Sequence, residues 1–179
     1  MSDGKAKIAT VWLDGCSGCH MSFLDMDERL IELAEKADVV YSPLVDPKDF
    51  PEMVDVTLVE GAVSNEDDYN KIKKVRAHTR ILVSLGDCAV TSNVPGMRNQ
   101  FSVQSLYERA YIENAAENQH IPVKLIPPLR QKSVPVHHIV PVDVFIPGCP
   151  PSADTIYFAV MELLEGRMPD LVGRTRFGI

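Results

Sequence analysis

Short apolar runs that alternate with amphipathic segments constrain the fold of this chain more than any other feature of its sequence. Five runs rich in β-branched residues predict strands at Ile8–Leu13, Asp38–Val45, Val54–Val59, Arg80–Leu85 and Val142–Ile146. Helical spacing or an N-cap signature predicts helices at about Met21–Lys36, from Ser64–Asp67 onward, over 101–118, and at Ala153–Glu165 after an N-cap at Ser152. Such alternation builds parallel βαβ units. We therefore expect an α/β fold, a flavodoxin-like, doubly wound parallel sheet with helices on both faces.

Two segments do not follow this alternation. Residues 89–100 are predicted to be loop-like. Residues 119–142 are rich in proline and apolar residues without a clear period. A long loop in a compact domain usually has a function. We expect residues 119–142 and the tail Gly173–Ile179 to contact a partner protein, although a solvated loop and a frayed terminus would read the same way.

The length and charge of the chain disfavour several classes of protein. A chain of 179 residues fits a single domain over 1–179. Its formal net charge of −7 argues against nucleic acid, whose phosphates repel a negative protein. Met1–Lys7 lacks the apolar stretch of a secretion signal, and no run is long enough for membrane insertion. We therefore expect a cytoplasmic protein, in which cysteines stay reduced and serve as metal ligands or redox groups.

All four cysteines of the chain follow predicted strands. Cys16 and Cys19 come after the first strand, Cys88 after the fourth and Cys149 after the fifth. Because the carboxyl ends of parallel strands form one crevice, three strand ends would bring four thiols to one edge of the sheet. Each cysteine also has a glycine close by, which lets backbone N–H groups approach a bulky anionic cluster. We therefore predict an iron–sulfur cluster on these four cysteines.

Other uses of the cysteines remain open from the pattern alone. Four thiolates could bind structural zinc, although zinc sites usually use two CxxC pairs. Cys16 and Cys19 could instead form a thioredoxin-type redox pair, with Cys88 and Cys149 as ordinary buried residues. A flavodoxin-like fold also raises FMN as a ligand. FMN is the less favoured ligand, because residues 16–19 occupy the loop that would hold its phosphate.

Four ordered motifs resemble the small subunit of [NiFe] hydrogenases: Trp12–Cys19 (WLDGCSGC), Val59–Ala62 (VEGA), Leu85–Cys88 (LGDC) and Ile146–Pro151 (IPGCPP). The resemblance extends from Lys7 to Glu165, and the related quinone-reductase (complex I) subunit shares it. In this family the four matching cysteines bind the proximal [4Fe–4S] cluster on a flavodoxin-like domain. That cluster lies beside the nickel–iron site of a separate large subunit. The resemblance thus implies one [4Fe–4S] cluster, a large-subunit partner, and no catalytic residue on this chain.

Two differences from the family pattern indicate which kind of small subunit the chain resembles. Ser17 and Gly18 separate Cys16 from Cys19, whereas the complex I relatives carry adjacent cysteines, which favours hydrogenase. No cysteine follows Cys149, so we expect this chain to have no second, cysteine-bearing domain like that of membrane-bound and periplasmic small subunits. It therefore resembles the short small subunit of cytoplasmic, bidirectional, NAD(P)-linked hydrogenases, in which a diaphorase module carries further clusters, FMN and the nicotinamide site.

The function implied by this resemblance is electron transfer between the nickel–iron subunit and the diaphorase during H₂ oxidation or proton reduction. One alternative is a small subunit of another cytoplasmic [NiFe] hydrogenase, and a second is a complex I-type quinone-reductase subunit. An alternative of a different class is a zinc- or FMN-binding interaction domain.

Residues near the cysteines suggest supporting roles. Glu60 ends the third strand at the same edge, where it could lie beside the cluster or relay protons between subunits; alternatively, it only holds the turn that follows it. Asp14 and Asp87 are expected to stabilise turns by side-chain hydrogen bonds to the backbone. His20 is expected at a solvated helix start, and Trp12 in the core.

Overall fold

The computed structural model describes residues 4–175 and has a parallel sheet at its centre. The strands of the protein are β1 (Ala6–Trp12), β2 (Ala37–Tyr41), β3 (Val54–Glu60), β4 (Val63–Asn65), β5 (Thr79–Leu85), β6 (Leu129–Val134) and β7 (Val144–Ile146). The α-helices are α1 (Gly18–Leu24), α2 (Arg29–Lys36), α3 (Glu66–Ala77), α4 (Asp87–Thr91), α5 (Asn93–Gly96), α6 (Val103–Glu108) and α7 (Ala153–Leu164). Five strands form the central sheet in the order β2-β1-β3-β5-β7, and every neighbouring pair is parallel. The predicted α/β fold is confirmed.

Two apolar layers cover the two faces of this sheet. On one face, α1, α2 and α7 bury side chains such as Phe23, Leu33 and Ile156. On the other face, α3 packs Ile72 against sheet residues that include Leu82. The central strand β3 is buried over nearly its whole length, which is why its sequence reads as an almost continuous apolar run.

The N-caps that the sequence predicts are present. The Asn65 side chain accepts a hydrogen bond from the backbone N–H of Asp68, and the Asp68 carboxylate accepts one from the backbone N–H of Asn65. This reciprocal pair fixes the start of α3. At α7, Ser152 accepts from the backbone N–H of Thr155.

Two predicted helices are shorter than expected. The helix predicted over Met21–Lys36 is broken into α1 and α2, because Asp27 adopts a left-handed backbone conformation with φ 50° between them. Aspartate tolerates that conformation better than most residues. The helix predicted over 101–118 consists of α6 and a π-helical turn at Arg109–Glu113, and it ends there.

The two segments predicted as loops contain regular structure. Residues 89–100 belong to the short helices α4 and α5 and a 3₁₀ turn at Met97–Gln100, with Ala89 fully buried. Within 119–142, β6 pairs antiparallel with β4 and leads to a 3₁₀ turn at Val136–His138. The loop predictions were wrong there, because short turns and a two-stranded pairing leave no apolar period in the sequence.

Two further expectations concern Trp12 and the C-terminal tail. Trp12 is 44% exposed, so its predicted place in the core was wrong. Of the tail predicted to contact a partner, Arg176–Ile179 lies outside the described residues. No helix within residues 4–175 has the length and apolar character needed to span a membrane.

Candidate metal centre

The four cysteines follow three strands of the central sheet. Cys16 and Cys19 follow β1, with Cys16 on the loop before α1 and Cys19 within α1. Cys88 lies in α4, after β5, and Cys149 follows β7. Since β3 lies between β1 and β5, its last residue Glu60 falls in the same row. The structure therefore places the four predicted ligands and Glu60 along one edge, as the topology predicts.

The cysteines and Glu60 lie near enough to one another for their charges to raise the pKa of Cys19 and Cys88. Burial raises the pKa of the Cys19 thiol well above its ordinary value, and Glu60 and the other three cysteines raise it further. Burial likewise raises the pKa of Cys88, although a hydrogen bond from the backbone N–H of Val94 opposes this shift. Thiols in such an environment ionise readily only when a positive ion or cluster compensates their charge.

Glycine backbone lies directly against two of the four thiols. A Cβ added to Gly86 would come within 2.2 Å of the Cys19 sulfur, and Gly86 has φ 82°. At the other end of the site, a Cβ on Gly18 would lie 3.3 Å from the Cys16 sulfur. Gly18 and Gly86, two of the glycines that the sequence places near the cysteines, thus permit close approach of backbone to sulfur.

Hydrogen bonds tie the loops at this edge of the sheet to one another. The Asp87 carboxylate accepts from the backbone N–H of Gly148 at 2.7 Å, and the backbone N–H of Asp87 donates to the Gly148 carbonyl at 2.8 Å. Asp14 and Ala62 exchange two backbone hydrogen bonds of 3.0 and 2.7 Å. Asp87 therefore ties the Cys88 loop to the Cys149 loop instead of only stabilising its own turn.

A buried hydrogen-bond network lies behind Cys19. Glu60 and His20 are only 2% and 5% exposed. Glu60 Oε2 accepts from the backbone N–H of His20 at 2.9 Å and also contacts the ring Nδ1. The ring Nε2 lies 3.0 Å from Thr10 Oγ1, and Thr10 donates to Ser42 Oγ at 2.7 Å. The prediction that His20 is solvated was wrong.

Sequence reasoning missed the partners of this network and one further contact. Thr10 lies in β1 and Ser42 directly follows β2, and no local motif links them to His20. The side chain of Asn93 donates to the Cys149 sulfur at 3.6 Å. The left-handed conformation of Ser92 that presents it has no signature in the sequence.

The donor set fits an iron–sulfur cluster. A [4Fe–4S] cluster takes one thiolate on each iron, so its four ligands stand farther apart than those of a single ion. Among residues 4–175, no three His, Cys, Asp or Glu side chains are gathered closely enough to hold a single metal ion. Four thiols supply the ligands of such a cluster, backbone at Gly18 and Gly86 can approach its sulfurs, and the Asn93 amide donates to one of the cysteines.

Comparison with known proteins identifies relatives over nearly the whole chain. Residues 16–163 match the family described as NADH ubiquinone oxidoreductase, 20 Kd subunit. The chain is 41% identical to the NAD-reducing hydrogenase HoxS subunit delta of Cupriavidus necator, over 94% of this chain and 83% of that one. It is 39% identical to one subunit of the F420-non-reducing hydrogenase (vhu) of Methanocaldococcus jannaschii, over 92% of this chain but only 58% of that longer protein.

One solved structure is closely similar throughout. A chain of an NAD⁺-reducing [NiFe]-hydrogenase in the H₂-reduced state superimposes with a TM-score of 0.92 at 38% identity. The match covers 97% of this chain and 99% of that one.

Proposed function

The chain belongs to the NADH ubiquinone oxidoreductase 20 Kd subunit family, and from this we propose that it is the electron-transfer small subunit of an NAD(P)-linked [NiFe] hydrogenase. The observation that carries the proposal is its likeness to a chain of an NAD⁺-reducing [NiFe]-hydrogenase, at 38% identity over 97% of its residues. Identity at that level over a shared fold supports a shared role in the complex.

In this proposal Cys16, Cys19, Cys88 and Cys149 hold one [4Fe–4S] cluster. Four thiols at one sheet edge, with Gly86 placed against the Cys19 sulfur, support the assignment. When bound, such a cluster takes up and releases single electrons. The chain itself supplies the ligands, excludes water on the inner side through Cys19 and Cys88, and leaves Cys16 and Cys149 toward solvent or a partner. FMN on this chain is not part of the proposal and stays the less favoured ligand, since the loop after β1 carries two of the cysteines.

The proposed partners are a large subunit with the nickel–iron site, where H₂ is split or formed, and diaphorase subunits with iron–sulfur clusters, FMN and the NAD(P) site. A single cluster cannot carry electrons far, so redox groups must lie on both sides of it. Val123 and Leu125, in the segment predicted to contact a partner, are 87% and 101% exposed. The exposure of such large apolar side chains supports the proposal that this segment is buried against another subunit. We place the complex in the cytoplasm.

Glu60 is proposed to hold the inner side of the cluster site through His20. It bonds to the backbone and ring of the residue next to Cys19, so its loss would displace that ligand. A proton relay through Glu60 is the second part of this hypothesis. A Glu60→Gln variant with unchanged cluster potential and H₂ turnover would remove that functional role.

The small subunit of another cytoplasmic [NiFe] hydrogenase is the second candidate. The 39% identity to the F420-non-reducing hydrogenase subunit favours it almost as strongly as the 41% identity to the HoxS subunit favours the first. We expect the two candidates to differ in their partner subunits and in their electron acceptor.

The deciding experiment is anaerobic iron and acid-labile sulfide analysis of the purified complex, with EPR after reduction by H₂. We expect both to be lost in Cys88→Ala and retained in Val90→Ala, a matched control on the same helix whose residue is buried to the same 8% exposure. Zinc in place of iron, or equal iron in both variants, would contradict the cluster. Iron with H₂-dependent turnover but no NAD(P)⁺ reduction would favour the second candidate.

A further inference from the structure

Residues 92–94 place hydrogen-bond donors against two of the four thiols. The Asn93 side-chain amide donates to Cys149 Sγ at 3.6 Å. The backbone N–H of the next residue, Val94, lies close enough to the Cys88 thiol to lower its pKa against the rise that burial causes. One short turn therefore contacts cysteines that follow two different strands, β5 and β7.

This turn has a conformation that the surrounding structure enforces. Ser92 is non-glycine yet left-handed, with φ 68°, and is only 4% exposed. Its backbone N–H donates to the Cys88 carbonyl at 3.0 Å, and its carbonyl accepts from Gly96 at 2.7 Å. A strained residue persists only where its contacts specify it, and such residues concentrate at functional sites.

A buried cluster of serines fixes the turn from behind. Ser92 Oγ lies 2.9 Å from Ser133 Oγ, which also accepts from Ser64 Oγ at 2.7 Å. Ser133 lies in β6. Its backbone N–H donates to the Asn99 side-chain oxygen, and its carbonyl accepts from the Asn99 side-chain NH₂. The β4–β6 pair thus anchors the turn that presents Asn93, while the Asn93 side chain itself is exposed. Changing Asn93 alone should leave this anchoring intact.

We propose that Asn93 sets the reduction potential of the cluster through its hydrogen bond to Cys149. The inference rests on the proposed function, because it requires the cluster. Adding one electron makes the cluster and its thiolate ligands more negative, so an N–H donor stabilises the reduced state more than the oxidised state. The amide keeps its proton throughout and contributes only its partial positive charge.

The test is an EPR-monitored redox titration of the purified, loaded complex, with mediators supplying the electron. Asn93→Leu keeps a similar volume and removes the donor. We expect its cluster to be harder to reduce by about tenfold in the equilibrium constant, which is about 59 mV for one electron. Asn93→Asp removes the donor and adds negative charge, so its potential should be lower still. Asn70→Leu, the same change at an exposed position of α3, should leave the potential unchanged.

The outcomes distinguish a failure of this inference from a failure of the proposed function. A wild-type complex without iron, sulfide or an EPR signal would refute the cluster and the inference together. A loaded wild type with unchanged potentials in Asn93→Leu and Asn93→Asp would overturn the inference alone. Loss of iron from both variants, with Asn70→Leu loaded, would also overturn it, because Asn93 would then be needed to hold the cluster.

Discussion

The inner and outer halves of the cysteine site are built differently. Cys19 and Cys88 are each 8% exposed, and Cys19 belongs to one of the two apolar cores of the sheet. Cys16 and Cys149 are exposed and lie on loops. The inner thiols are therefore placed by the packing of the domain itself, whereas the outer thiols depend on loop contacts.

This difference separates two kinds of residue around one site. Behind the inner half lie Glu60, His20 and Gly86, all buried or in contact with buried groups. Beside the outer half lie Gly18 and Asn93, on exposed or half-exposed backbone. Changes to the inner set should reduce both the stability of the chain and its metal content, and changes to the outer set should alter the metal site alone.

The largest effect is expected for Gly86→Ala. Gly86 has φ 82° and ψ 160°, a region that only glycine enters readily, and the new Cβ would overlap the Cys19 sulfur at 2.2 Å. Backbone strain of about 1–3 kcal/mol and overpacking of about 1–3 kcal/mol together suggest a loss near 4 kcal/mol in the free energy of unfolding. Urea unfolding and iron analysis would measure the two consequences.

Gly166→Ala is the matched control for that prediction. Gly166 also has a positive φ, 77°, but a Cβ there meets no atom within 4 Å. The strain alone should cost about 1 kcal/mol and leave the iron content unchanged. Equal losses of stability in the two variants would show that contact with the Cys19 sulfur contributes nothing.

A smaller loss is expected for Glu60→Leu. The change leaves the backbone N–H and ring of His20 without their buried acceptor, at about 1–3 kcal/mol for each donor, so we expect a loss of about 3 kcal/mol in the free energy of unfolding. Glu60→Gln retains an acceptor oxygen and should lose less. Glu113→Leu, which breaks an exposed pair with Arg109, should change stability by less than about 0.5 kcal/mol. Similar values for Glu60→Leu and Glu113→Leu would refute the inner network.

The sequence predicted the parts of this comparison that depend on topology. Strand runs ending near glycine were sufficient to place Cys16, Cys19, Cys88 and Cys149 at one edge, since parallel strands align their carboxyl ends. It did not predict which thiols are inner and which outer, because burial depends on how the helices pack after the strands end.

The same limit explains the errors around His20 and residues 89–100. His20 reads as a helix-start residue, and its burial depends on Glu60, forty positions away. The turn at Ser92 is set by Ser133, forty-one positions away. Contacts over such separations leave no trace in local periodicity or capping patterns.

The smallest change in stability is expected in the outer half, from Cys16→Ser. The Cys16 side chain is exposed and contributes little packing, so the unfolding free energy of the metal-free chain should change by less than about 0.5 kcal/mol. Cys19→Ser should cost more, because it places a hydroxyl at an apolar, 8% exposed position. Both variants should nevertheless lose iron from the assembled complex, since each removes one thiolate. Urea unfolding with a chelator and reductant, run beside iron analysis, measures both properties. If Cys16→Ser destabilised the metal-free chain as much as Cys19→Ser, the outer thiols would also be structural, and the division of the site into two halves would fail.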